Sequence, residues 1–134
     1  MTDRRWTLAT TTAIALLAGV WARASADAPT FKRIELTRHD LATPGREAVL
    51  VRVEFPPGTA TPRHTHPGDE IGVVLEGEFV VELEGKPAVT LKAGDSYFVP
   101  AGTVHAGKHA GKTATVALST YIIEKGKPLA TTVK

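Results

Sequence analysis

Short apolar, β-branched runs alternate with glycine- and proline-bearing turns along most of this chain, and that rhythm leaves few folds open. Arg46–Phe55 ends at Pro56-Pro57-Gly58, Ile71–Leu75 at Glu76-Gly77-Glu78, and Phe79–Leu83 at Glu84-Gly85-Lys86-Pro87. Ala88–Leu91, Ser96–Val99 and Thr113–Ile123 follow, closed by Lys92-Ala93-Gly94-Asp95, Pro100-Ala101-Gly102 and Lys125-Gly126-Lys127-Pro128. Runs of this kind at spacings of about ten residues, with turn signals between them, read as an all-β sandwich or barrel. No helix-period pattern of useful length competes with that reading. Alternation assigns the faces: Phe79, Val81 and Leu83 point to the core, and Glu78, Glu82 and Glu84 to water. Val49, Val51 and Val53 repeat the pattern against Arg52 and Glu54. Phe79, Phe98 and Tyr121 are expected in the core. Residues 124–134 are polar and are expected to trail over the surface. A length of 134 residues suits one domain.

The chain has five histidines and no cysteine. Disulfides, thiolate nucleophiles, cysteine-ligated zinc and iron–sulfur clusters are therefore excluded. His64-Thr65-His66 follows the turn-rich stretch 56–62. On an extended chain, side chains two residues apart share a face, so both imidazoles can address one point. Glu70, beyond Pro67-Gly68, adds a carboxylate, and His105 starts another β-rich segment. Three neutral imidazoles and a carboxylate suit a divalent transition metal with coordination positions left open. Manganese, iron, cobalt, nickel, copper and zinc all accept such ligands. Thr65, Ser96, Thr103 and Lys108 lie near in sequence as polar neighbours whose direction the sequence does not fix. Nothing resembles a phosphate-binding glycine loop, a serine nucleophile elbow or a helical His-Glu-x-x-His.

Gly58-x5-His64-x-His66-x3-Glu70-x6-Gly77 resembles the first motif of the cupin superfamily at every defining position, and Gly94-x5-Pro100-x-Gly102-x2-His105 resembles the second. Residues 78–93 separate them, a short span like that of small bacterial cupins. The resemblance implies an antiparallel jelly-roll β-barrel (a double-stranded β-helix) over residues 27–134, with its motif core at 58–109. By position it implies His64, His66, Glu70 and His105 as metal ligands. Gly58 and Gly94 would form tight turns, Gly102 would turn the chain into the strand bearing His105, and Asp95 would close its own turn. The second motif usually carries Asn four residues after its histidine, where this chain has His109. A surface or second-shell place is expected for His109, with a fifth ligand or proton shuttle as the sharper alternative.

Two kinds of function fit that resemblance. One is a metal-dependent, dioxygenase-like oxidoreductase acting on a small organic molecule, with Glu70 at a raised pKa as a general base. The other is a non-enzymatic periplasmic protein that binds a small molecule or the metal itself. Cupin barrels commonly dimerise, so a homodimer is expected, with residues 31–36 able to supply an edge strand.

Residues 1–26 read as an export signal. Arg4 and Arg5 precede the apolar stretch Leu8–Val20, and Ala24-Ser25-Ala26 is a small-x-small cleavage site. The apolar stretch is shorter than the roughly 20 residues a membrane-crossing helix needs. The paired arginines fit ordinary secretion and the twin-arginine route alike. The expected product is periplasmic or secreted, with no membrane anchor. The whole chain has a formal charge of +2. Losing Arg4, Arg5, Arg23 and Asp3 brings it to zero, which removes the basic surplus that would have suggested nucleic acid.

Overall fold

A computed structural model describes residues 28–134. The expected export signal and its cleavage site lie outside the described residues.

Among the described residues, ten strands form two sheets: β1 (Lys32–Asp40), β2 (Arg46–Phe55), β3 (His64–Thr65), β4 (Gly68–Glu76), β5 (Glu78–Leu83), β6 (Val89–Lys92), β7 (Ser96–Val99), β8 (His105–Ala110), β9 (Thr115–Glu124) and β10 (Thr131–Thr132). One sheet has the order β1-β2-β9-β4-β7 and the other β10-β3-β8-β5-β6. Every strand pair is antiparallel, and no helix occurs among the described residues. The expected all-β jelly roll is what forms.

The alternation read from sequence accounts for the core. In β2, Val49, Val51, Val53 and Phe55 are buried, and β2 pairs with β9 along all ten of its residues. Val74, Phe79, Val81, Leu91, Tyr121 and Ile123 complete the cluster between the sheets. A row of aromatic rings runs through it: Phe31 to Phe55 at 6.0 Å, Phe55 to Phe79 at 5.7 Å, and Phe79 to Tyr97 at 5.3 Å. Burial of such side chains is the dominant favourable contribution to folding, at roughly 1.5–3 kcal/mol for each large one.

Two expectations fail. Phe98 is 52% exposed. Its register partner is Ile71, while Val99 opposes Glu70 and Tyr97 opposes Gly72. Val99 is buried and Tyr97 packs on the core, so the period of two sends Phe98 outward. The C-terminal segment also does more than trail. Thr131 and Thr132 pair with Thr65 and His64, the Val133 amide donates to the Arg63 carbonyl at 2.9 Å, and Leu129 packs on the core. Turn expectations hold: Gly58 and Gly94 have φ of 79° and 94°, and the Asp95 carboxylate accepts from the Lys92 amide at 2.8 Å.

Gly72 sits in β4 between Tyr97 of β7 and Ser119 of β9. A Cβ there would lie 2.1 Å from Tyr97 Cζ. The bare backbone lets the phenol lie across β4, where its hydroxyl is 2.6 Å from Ser119 Oγ. Gly72→Ala is therefore expected to cost about 1–3 kcal/mol by overpacking. In urea unfolding that penalty should shrink when Tyr97→Ala is added; an unchanged penalty in the double variant would show that the clash lies elsewhere.

Candidate metal centre

His64 opens β3, His66 follows β3, and Glu70 lies in β4. His105 opens β8 as the register partner of His64. Two further hydrogen bonds join the two sequence motifs. The Gly102 amide donates to the His66 carbonyl at 3.0 Å, and the Ala101 amide donates to the Asp69 carboxylate at 2.9 Å. The second motif is thereby fixed against the first, and all four side chains are buried.

The imidazole centroids lie 4.2–4.9 Å apart, and one ring nitrogen from each falls within 4.8 Å of the others. Each Nδ1 meets a backbone carbonyl: His64 at Pro62 (2.8 Å), His66 at Leu129 (2.6 Å) and His105 at Thr103 (3.0 Å). A carbonyl can only accept, so each Nδ1 carries a proton and the Nε2 atom of each ring is the one turned inward. This is the arrangement that orients ligating histidines in metal sites. Burial pushes the His64 pKa down to about 4, aided by His105, Arg33 and His66 and opposed by the Pro62 carbonyl. His64 is therefore neutral at physiological pH.

Glu70 Oε2 lies 3.1 Å from His66 Nε2 and 3.4 Å from His105 Nε2. Ligands around one ion at about 2.1 Å are separated by about 3.0–3.4 Å in octahedral or tetrahedral geometry. Burial raises the Glu70 pKa, but hydrogen bonding to His105, His66 and Ser119, together with positive charge on His66, outweighs it and holds the carboxyl well below the usual range. The expected raised pKa is thus reversed, and a carboxylate that stays ionised serves better as a ligand than as a base. His66 Nε2 is buried with no hydrogen-bond partner. A buried lone pair facing a carboxylate oxygen is costly unless a cation or proton lies between them. The donor set therefore fits a divalent transition metal.

His109 takes no part. The Gly58 amide donates to its Nδ1 at 3.2 Å, and its Nε2 donates to the Thr113 carbonyl at 2.8 Å. It shares a strand with His105, but both ring nitrogens are spent on loop backbone, so neither a second-shell nor a ligand role has a free atom to act through. Ser96 and Lys108 are exposed, Lys108 against Glu82. Thr103 contributes its carbonyl rather than its hydroxyl, and Thr65 pairs with Thr131.

Beside the metal-facing atoms lies a cavity of about 30 Å³, lined by Arg33, Thr61, Tyr97 and Ser119 and walled by Phe55 and Phe79. It has room for about two waters. Burial and the Glu70 charge raise the pKa of Tyr97, and of Tyr121 alongside it, so both stay protonated. Sequence reasoning missed Ser119, though parity with Ala117, Tyr121 and Ile123 in β9 points it inward. Arg33, reaching in from an edge strand, has no such signal.

The cupin domain family matches residues 51–121, and the chain belongs to that family. Among curated proteins it is 36% identical over 77 residues to a germin-like protein of Arabidopsis thaliana, covering 54% of this chain and 35% of that protein. It is 36% identical over 70 residues to oxalate oxidase 2 of Hordeum vulgare, covering 46% and 31%. The chain thus spans about a third of the length of these relatives. Among solved structures, a cupin-like protein from Thermotoga maritima superposes with a TM-score of 0.65 at 26% identity, over 77% of this chain and 75% of that one. An oxalate oxidase in complex with the substrate analogue glycolate superposes with a TM-score of 0.63 at 28% identity, over 77% and 55%.

His66→Ala is expected to abolish stoichiometric metal uptake by elemental analysis. Deleting residues 127–134 removes the Leu129 carbonyl and should weaken metal binding about 10- to 100-fold while leaving a cooperative thermal transition. Unchanged affinity in the deletion would show that the tail does not orient His66.

Proposed function

We propose that this protein is an exported, metal-dependent cupin oxidoreductase, dioxygenase-like in its chemistry, that acts on a small organic molecule. In this reading His64, His66, His105 and Glu70 hold one divalent transition metal. The observation that supports it is the commitment of all three Nδ1 protons to backbone carbonyls, which turns the three Nε2 atoms inward beside the Glu70 carboxylate. Such a metal, when bound, supplies Lewis acidity and, where redox-active, electron transfer. The protein's own residues do the rest. Phe55 and Phe79 exclude bulk water, while Tyr97 and Ser119 offer hydroxyl groups to a bound oxygen atom. The small cavity suits a small substrate, and the relatives include oxalate oxidases.

With manganese or iron loaded, dioxygen consumption in the presence of oxalate or glycolate is expected, falling at least 100-fold in Glu70→Gln, as expected for loss of a group at the reacting centre. Stoichiometric metal with no turnover would instead support the binding-protein reading.

The same proposal places the protein in the periplasm or outside the cell after cleavage near Ala26, working as a homodimer without nucleic-acid partners. The edge strand β1, with Leu36 half exposed, and the outward Ile71 and Phe98 offer apolar surface for a second copy. Light scattering should give twice the chain mass; a monomer alone would refute the dimer.

A further inference from the structure

Arg33 is the one charged side chain of the cavity wall besides Glu70, and the metal chemistry above gives it no task. It projects from β1, at the edge of its sheet. Its guanidinium lies 5.1 Å over the Phe31 ring, and its Nη2 donates to His64 Nε2 at 3.0 Å. Its Nε is buried with no partner. Arg38, Arg52 and Arg63 each pair with a glutamate, whereas Arg33 spends its donor on a neutral imidazole. Two facts follow. The lone pair that Arg33 holds is the one His64 must give to a metal, so guanidinium and metal compete for it. Once displaced, the guanidinium remains tethered at a cavity of about 30 Å³ with unused N–H donors.

We propose that Arg33 is the carboxylate-recognition residue of this site, held on His64 until metal arrives and then released to pair with an anionic substrate. The inference rests on the metal-site reading and narrows its substrate class to small carboxylates. A planar guanidinium fork matches a carboxylate in shape and charge. Metal and guanidinium repel one another across the small cavity, and an anion between them relieves that repulsion. Anion binding and metal binding must then strengthen each other by the same factor. An arginine in this role differs from one placed for packing alone: its removal tightens metal binding and abolishes the response to anion.

The test is a titration of the metal-free full-length chain with Co(II), followed by visible absorption at constant ionic strength. It is run alone, with sodium acetate, and with acetamide as the neutral analogue. Arg33→Gln and Arg33→Met are each expected to bind Co(II) about tenfold or more tightly than wild type, because the hydrogen bond from the charged donor no longer has to be broken. Acetate is expected to tighten Co(II) binding to wild type, acetamide to leave it unchanged, and both variants to lose the acetate response. Variants that bind Co(II) with wild-type affinity, or that keep the full acetate response, overturn the proposal. A wild type that binds no Co(II) overturns the metal-site reading itself, which the variants' behaviour alone does not.

Discussion

Three hydrogen bonds from imidazole Nδ1 to backbone carbonyls decide what this barrel can hold, and their acceptors come from three separate parts of the chain. Pro62 lies in the loop before β3, Thr103 in the turn before β8, and Leu129 in the segment before β10. Pro62 and Thr103 lie two residues before the histidines they meet, whereas Leu129 reaches His66 from 63 residues away, through the fold. The backbone thus takes the Nδ1 side of each ring and turns the three Nε2 atoms together. Rotating any one ring by half a turn would point a donor at the centre and leave a carbonyl without its partner.

That arrangement has an electrostatic cost in the metal-free chain. Glu70 is buried 3.1 Å from the His66 Nε2, which has no hydrogen-bond partner. Unpaired buried polar atoms lose hydration without compensation. A cation removes the penalty at once, so metal and fold stabilise one another; at a thousandfold excess over Kd the gain is about 4 kcal/mol. Arg33 supplies part of the missing positive charge from the side, through His64. The aromatic row from Phe31 to Tyr97 keeps the surroundings dry enough for these charges to matter.

Much of this was legible in the residues. The period of two assigned the faces of β2 and β5, and turn residues marked where most strands end. His64, His66, Glu70 and His105 are identifiable because close spacing on extended chain puts side chains on one face and the family motif supplies the distant member. Phe98 was misread because its strand is short and bears two adjacent aromatics; only the register against Gly72 and Glu70 decides which turns inward. The C-terminal segment was misread because its contribution is a backbone carbonyl and a two-residue strand, and neither leaves a mark in side-chain pattern. Arg33 and His109 share that difficulty in opposite senses. The arginine enters the site from an edge strand through a long side chain, and the histidine has the parity of a ligand but is captured by the Gly58 and Thr113 backbone.

The central claim is that the folded backbone selects the three Nε2 atoms as ligands. A crystal structure of the manganese-loaded protein, with anomalous scattering to locate the ion, tests it most directly. The account predicts one ion per chain within bonding distance of Nε2 of His64, His66 and His105 and of a Glu70 oxygen, with the three Nδ1–carbonyl contacts retained. An ion bound through any Nδ1, or located away from these side chains, would contradict it.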